Sequence, residues 1–225
     1  MRRALAVFAH PDDESFGLGG VLGALVDGGV QVSGLCFTHG EASTLGTGSV
    51  LGDVRSEELA LAAAVLGLTE CRLLDYPDGA LAAVPLDLLT THVVEDARRV
   101  QADVLVVFDD GGVTGHPDHQ RATDAALAAA DELDLAVLAW AVADDVAGAL
   151  NAEFGTTFRG RGGEDIDRRI AVDRERQRAA VACHHSQATT NAVLWRRLEL
   201  SGHSDPVRWL RSRSVLPVVR NASDA

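Results

Sequence analysis

His10-Pro-Asp-Asp-Glu14 places an imidazole and three carboxylates within five residues, directly behind the apolar run Leu5–Ala9. His116-Pro-Asp-His119 places two more imidazoles and a carboxylate beyond a second such run, Val104–Phe108. Runs of this kind read as buried parallel strands, and open α/β sheets bind ligands at the carboxyl ends of their strands. The two clusters therefore read as halves of one metal site. A catalytic zinc takes three protein ligands from His and Asp/Glu and keeps one position for water. His10 and Asp13, three residues apart on a turn that Pro11 stiffens, supply two ligands, and His119 supplies the third if the two strands neighbour each other at a switch point. Asp12 and His116 then stay off the metal, the first placed to take a proton from water and the second to stabilise an oxyanion. Asp118 is expected to orient His116, as carboxylates commonly do for imidazoles beside a metal. Two histidines with one carboxylate also suit ferrous iron, so Fe2+ stands beside Zn2+, the default for a hydrolase.

Positioning these groups requires strands that end where the clusters begin, and the chain alternates accordingly. Strands are expected at 4–9, Val30–Phe37, Cys71–Leu74, 103–108 and 135–141, with helices at Gly17–Asp27, 53–67, Leu86–Val100 and 119–130. A Gly/Ser/Thr-rich loop at 39–52 is long enough to line a site. Beyond 151 the pattern loosens into a Gly/Arg-rich stretch (Gly155–Gly163), a short strand at Ile170–Val172, a helix at 173–183 and a polar end. The fold class is α/β, a Rossmann-like and mostly parallel sheet flanked by helices. Residues 1–225 are expected to form one domain, with 151–225 as a small C-terminal cap.

With 225 residues, 47% of them hydrophobic, the chain can build its own core. A net charge of −13 argues against a nucleic-acid partner. The charge is uneven: residues 1–150 hold 7 Arg against 24 acidic residues, −17, while 151–225 hold 13 against 9, +4. Arg169/Asp173 and Glu175/Arg178 fall at helical pair spacing, so a solvated helix face explains much of this, and the same Arg-rich part is where a homo-oligomer interface would lie. No apolar segment has the length of a membrane span and no signal-peptide pattern opens the chain, so the expected location is cytoplasmic, without a membrane partner. Cys36, Cys71 and Cys183 are widely spaced and odd in number, which supports neither a disulfide framework nor a Cys-x-x-Cys metal site. Gly17-x-Gly19-Gly20 has the wrong spacing for a dinucleotide fingerprint, and carboxylates beside it would repel a pyrophosphate, so a nucleotide-binding regulatory module stands only as the different-class alternative.

Ala9–Glu14 and His116–His119 closely resemble the two motifs of the PIG-L/LmbE-like zinc-dependent N-acetylglucosaminyl deacetylases, a family that includes mycothiol- and bacillithiol-biosynthesis enzymes. The resemblance extends in family order through Thr38-x-Gly40-Glu41, Arg55-x-x-Glu58, Tyr76-Pro-Asp78-Gly79 and His184-x-Ser186-Gln187. It implies His10, Asp13 and His119 as zinc ligands, Asp12 as general base and His116 as oxyanion stabiliser. It further implies that Arg55 and Asp78 contact a sugar and that His184 lies near the site. The implied reaction is removal of an N-acetyl group from a small molecule containing N-acetylglucosamine; the alternative is an amidase or deacylase of a thiol conjugate or glycosylated natural product. Structural readings stand beside these. Arg55 could pair with Glu57 or Glu58, Asp78 could serve an Asx turn, and His184 and His185 could favour a helix C-terminus. Glu14 is equally a helix-capping residue, His39 is a candidate for the site wall, and His92 and His203 read as surface residues. Much of the C-terminal extension of the longer mycothiol enzymes is missing, which leaves the acceptor end of the substrate open.

Overall fold

The computed structural model describes residues 2–45 and 50–212, so positions 46–49 of the expected loop at 39–52 and the polar end from 213 lie outside the described residues. The N-terminal part runs β1 (Arg3–Phe8), the single-turn α1 (Asp13–Phe16), α2 (Gly19–Asp27), β2 (Gln31–Thr38), α3 (Leu51–Leu66) and β3 (Glu70–Tyr76). It continues with α4 (Leu86–Val100), β4 (Val104–Phe108), the short α5 (Gly112–Gly115), α6 (Pro117–Leu133) and β5 (Ala136–Trp140). The remainder forms β6 (Val142–Ala143), α7 (Asp144–Phe154), β7 (Gly160–Arg161), β8 (Arg168–Ala171), α8 (Arg174–Cys183), α9 (His185–Ala188), α10 (Ala192–Ser201) and β9 (Ser204–Arg211).

Seven strands make one sheet in the order β3-β2-β1-β4-β5-β9-β8, parallel from β3 to β5 and antiparallel at β9 and β8. Side chains alternate along each strand, and both faces are covered. Leu5, Val7, Leu105 and Val107 pack under α4 and α6, while Ala4, Ala6, Phe8, Val104, Val106 and Phe108 pack under α2, α3 and α7. β1 continues to β2 on one side and has β4 on the other, so the order reverses between β1 and β4. The segments leaving these two strands diverge there, which opens a crevice at their carboxyl ends. Both motif clusters sit on it.

Three local differences from the sequence pattern matter. α6 starts at Pro117, the favoured first helical position for proline, so His116 is its N-cap and Asp118 and His119 occupy its first turn. The helix expected over Gly17–Asp27 is preceded by α1, because Asp12 itself caps a turn at 13–16. The segment beyond 183, whose pattern gives only a polar end, forms α9, α10 and β9, and β9 lies inside the main sheet between β5 and β8. The expected ion pairs also shift: Asp173 caps α8, Arg174 pairs with buried Asp205 and Arg176 with Asp27. All three cysteines are free.

Candidate metal centre and its cleft

His10 and Asp13 leave the end of β1, and His119 comes from the first turn of α6. His10 Nδ1 is 3.3 Å from His119 Nε2, His119 Nε2 is 3.2 Å from Asp13 Oδ1, and His10 Nδ1 is 3.6 Å from Asp13 Oδ2. Tetrahedral ligands with bonds of about 2.0–2.2 Å stand about 3.3–3.5 Å apart, so this donor set fits a divalent metal. Each donor is held from behind. Asp13 Oδ2 accepts the backbone N–H groups of Ala9 and His10 at 3.1 and 2.9 Å. His119 Nδ1 faces the carbonyl of Gly112 at 3.3 Å, which keeps its proton on Nδ1 and frees Nε2. Burial alone would push the Asp13 carboxyl up, yet His119 and His10 hold it well below the usual carboxylate range. Burial pushes His10 down, but its contacts with Asp118, Asp13 and Asp78 outweigh this and raise it well above the ordinary value.

Asp12 has φ 119°, a strained value for a residue with a side chain. Buried Glu14 holds it there by accepting the Asp12 N–H at 2.9 Å, and the Asp12 carbonyl starts α1 through Ser15 and Phe16. Arg55 donates to Asp12 Oδ2 at 2.9 Å and to the carbonyls of Pro11 and Gly40, so it serves Asp12 and does not pair with Glu57 or Glu58. Gly40 has φ 66°, and a Cβ there would overlap the Arg55 guanidinium. Burial raises the Asp12 carboxyl to about 6, against the lowering effect of Arg55.

Asp118 differs from expectation. Its carboxylate accepts the N–H groups of Gly79 at 2.8 Å and Leu81 at 3.1 Å and lies 3.4 Å from His10 Nε2, so it supports the candidate ligand His10. Its hydrogen bond to His116 comes from the backbone N–H, which donates to Nδ1 at 3.2 Å, while its carboxylate lies within 4.8 Å of a His116 ring nitrogen without bonding it. The early start of α6 explains this, because the side chain in its first turn reaches back across the crevice. Burial raises the Asp118 carboxyl, and His10 and the Gly79 N–H more than reverse this, leaving it lowered. His116 is lowered by burial and by the neighbouring His119 and His10, which favours the neutral ring. Asp78 also faces His10 Nε2, at 3.0 Å, and accepts the Ala42 N–H, while Glu41 accepts the Asp78 N–H. It therefore fixes two loops against the ligand and is more than an Asx-turn residue.

His184 is fully buried, bonds Glu14 at 2.6 Å and stacks edge-on to Phe16. It sits behind Asp12 and does not line the cleft. Burial lowers it, and the Glu14 carboxylate outweighs that and raises it. Ser186 binds Glu58 through both its N–H and hydroxyl, and Gln187 binds Ser43. The expected motif around 184–187 is thus a clasp between the C-terminal part and the N-terminal site. His39 bonds Ser56 and Asp75 and His92 bonds Tyr76, away from the cleft wall, and His203 is exposed. Gly17, Gly19 and Gly20 face Phe108, Gln177 and Asp205, where an added Cβ would clash at Gly17 and Gly20 and be crowded at Gly19, so they serve close packing of the helices.

The cleft has a volume of about 530 Å³, within the usual range for a small-molecule site. Its polar floor holds the candidate metal ligands with Asp12, Arg55, Asp78 and His116. The apolar lining of Phe16, Phe108, Val113, Trp140, Phe158 and Leu194, bordered by Arg197, was not singled out by sequence reasoning. Trp140 ends β5 and carried the same strand-end signal as His10; the others look like ordinary core residues. Val113 itself has φ 65° and ψ −65°, a strained γ-turn geometry in the wall.

A family profile described as GlcNAc-PI de-N-acetylase, PIG-L, matches residues 5–130. A curated relative from Streptomyces avermitilis, a 1D-myo-inositol 2-acetamido-2-deoxy-alpha-D-glucopyranoside deacetylase, is 35% identical over 156 residues, 58% of this chain and 53% of its own. The chain thus spans about half the length of the curated relatives it matches. Among solved structures, the 4-carboxy-2-hydroxymuconate hydratase GalB of Pseudomonas putida KT2440 superposes with TM-score 0.72 at 18% identity, covering 97% of this chain and 100% of that one. The N,N'-diacetylchitobiose deacetylase of Pyrococcus horikoshii gives TM-score 0.65 at 21% identity, covering 93% and 84%. At these identities the two structures establish the shared fold.

Proposed function

This chain belongs to the PIG-L family of GlcNAc-PI de-N-acetylases, and on that premise we propose that it is a metal-dependent hydrolase that removes the N-acetyl group from an N-acetylglucosamine-containing small molecule. The observation that carries the reading is the triangle of His10, Asp13 and His119 with Asp12 and His116 beside it on one cleft floor. The donor set favours zinc as the ion. A divalent metal bound there supplies Lewis-acid activation of water and of the amide carbonyl.

Asp12 takes the proton from the attacking water; a carboxyl raised to about 6 is ionised at neutral pH yet basic enough to accept it. Arg55 and Glu14 hold Asp12 in the required orientation. His116, whose Nδ1 accepts from the Asp118 N–H, carries its neutral proton on Nε2 and presents it to the oxyanion. Asp12 then returns a proton to the leaving amine. Asp78 and Arg55 border the space for the sugar, and His184 acts on Asp12 through Glu14 without touching substrate.

The test is amine release from N-acetylglucosamine, its O-glycosides and inositol-linked forms, using protein loaded with zinc or with ferrous iron, beside Asp12→Asn. Metal-dependent release by wild type, with metal bound but turnover largely lost in Asp12→Asn, supports the reading. Bound metal with no release from any member refutes the N-acetylglucosamine assignment and turns the search to amides of thiol conjugates.

A further inference from the structure

The turn between β4 and α6 runs against ordinary backbone preference. Gly112, Val113 and Gly115 have φ of 68°, 65° and 83°; glycine adopts such values freely, but a β-branched valine does not. Strain of this kind persists only where the surroundings over-determine it, and it points to something that the distorted backbone achieves. Here it places one atom. The Gly112 carbonyl oxygen accepts the His116 N–H at 3.2 Å and faces His119 Nδ1 at 3.3 Å, so it serves both histidines of the second motif. Asp109 opens this turn and is 3% exposed. Its carbonyl accepts the Gly112 N–H at 2.9 Å and its carboxylate accepts the Gly111 N–H at 3.1 Å, so main chain and side chain both close the turn. Two arginines from beyond residue 151 hold that carboxylate. Arg161 of β7 donates through Nε and Nη2 at 3.0 and 2.8 Å, and Arg208 of β9 donates through Nη1 at 3.0 Å. Further along, the Arg159 N–H donates to the Val113 carbonyl at 2.7 Å and the Thr157 hydroxyl to the Thr114 carbonyl at 3.1 Å. A link whose only task was to join β4 to β7 and β9 would require neither the bond to Gly111 nor the distortion at Val113.

We propose that Asp109, clamped by Arg161 and Arg208, is a positioning residue for the metal centre: it holds residues 109–115 in the distorted turn that aims the Gly112 carbonyl at His119 and His116. This rests on the metal-site reading above and adds to it three residues that do not line the cleft. The carbonyl keeps the His119 proton on Nδ1 and so leaves Nε2 for the ion. Once the clamp is removed, Val113 relaxes toward ordinary backbone angles and carries the carbonyl out of line.

The experiment measures zinc affinity by competition with a chromophoric chelator, and the visible absorption spectrum of the cobalt-substituted protein, in wild type, Asp109→Ala, Val113→Gly and the double variant. Losing the outer support of a metal-binding histidine costs about 10–100-fold in affinity; Asp109 acts through an intervening carbonyl, so about ten-fold is expected for Asp109→Ala, with a shifted cobalt spectrum. Val113→Gly alone removes the strain and is expected to keep zinc affinity within about two-fold of wild type. In the double variant no strain opposes the turn, so the ten-fold loss shrinks to about three-fold, a coupling that independent sites do not show. A merely structural link lowers stability in urea but leaves the cobalt spectrum unchanged and zinc affinity within about two-fold, and that result in folded Asp109→Ala overturns the proposal. Equal losses in the single and double variants overturn it as well. If Asp109→Ala does not fold by circular dichroism, Arg161→Gln decides by the same two readouts: with Arg208 still in place about three-fold weaker zinc binding and a shifted spectrum are expected, and no change in either overturns the clamp. Wild type that binds zinc but releases no amine from any N-acetylglucosaminide refutes the deacetylase reading alone, because affinity and spectrum still judge Asp109. Wild type that binds no zinc overturns both.

Discussion

Replacing Asp118 separates two roles that the same side chain could play. The carboxylate is fully buried, holds the N–H groups of Gly79 and Leu81, and faces His10 Nε2 at 3.4 Å. In Asp118→Ala the Leu81 N–H is left buried without its acceptor, whereas exposed Gly79 recovers water. One orphaned donor and one lost charge-assisted bond give a stability loss of about 2–4 kcal/mol. The loss of an outer carboxylate costs roughly 10–100-fold in metal affinity. Asp78 Oδ1 remains 3.0 Å from His10 Nε2, so the lower end, about ten-fold, is expected. Asp118→Asn keeps one acceptor oxygen for the loop but cannot offer His10 a negative charge, so it regains part of the stability and little of the affinity. Zinc affinity is read by competition with a chromophoric chelator, and stability by urea unfolding of the protein without added metal. If Asp118 instead served His116, turnover would fall while zinc affinity stayed within about three-fold of wild type. That outcome in both variants refutes the assignment of Asp118 to His10.

His184→Ala strips the buried Glu14 carboxylate of its cationic partner at 2.6 Å, and breaking one side of a buried pair costs about 3–5 kcal/mol, read by urea unfolding. A loss under about 1 kcal/mol would mean that the pair carries no such charge. Gly17→Ala drives a methyl into the Phe108 ring, itself wedged between His119 and Trp140, and is expected to destabilise by about 1–3 kcal/mol; an unchanged melting curve contradicts this packing. Asp109 would be raised by burial, but Arg161, the Gly111 N–H and Arg208 hold it below the usual carboxylate value. Its folded pKa is depressed, so its contribution to stability is present above the unfolded value of about 3.9 and disappears as pH falls through the folded one. The stability gap between wild type and Asp109→Asn, measured by urea unfolding from pH 7 downward, should therefore narrow in acid; a gap that widens as pH falls contradicts this.

The candidate donor triangle was legible because its residues announce themselves by type and by place. His10 and Asp13 end one apolar strand, His119 follows another, and βαβ alternation makes those strands neighbours. Asp118 was misread by a matter of two residues: its direction depends on α6 beginning at Pro117, and hydrophobic periodicity starts the helix only at 119. His184 was identified near the site, but its burial against Glu14 is a long-range fact that no local pattern encodes. The aromatic wall was invisible for a different reason. Phe16, Phe158 and Leu194 have the composition of a core, and only the crevice decides that one face of each borders open space. β9 was missed because buried Asp205 and Val207 share the strand with Pro206 and two arginines, which spoils any two-residue alternation.

On the proposed function, the cleft is divided along the chain between chemistry and recognition. The three candidate metal ligands, Asp12 and His116 all precede residue 120, within the stretch that the family profile matches, whereas Trp140, Phe158, Leu194 and Arg197 follow it. These later residues can hold a substrate accurately only if their helices are fixed to the metal site. Three contacts supply that connection: His184 to Glu14, Ser186 to Glu58 and Gln187 to Ser43. Two of them reach side chains that support or border the candidate site, since Glu14 holds Asp12 and Ser43 lines the cleft, and the third reaches buried Glu58 on α3. Asn191 then caps α10, which begins five residues after the last of these contacts and carries Leu194 and Arg197 into the wall. Substitutions in that wall can consequently alter which aglycone is accepted while leaving the geometry of His10, Asp13 and His119 intact. The same clasp gives buried His184 a structural place in the motif: it anchors the later wall of the cleft to the floor that holds the candidate metal site.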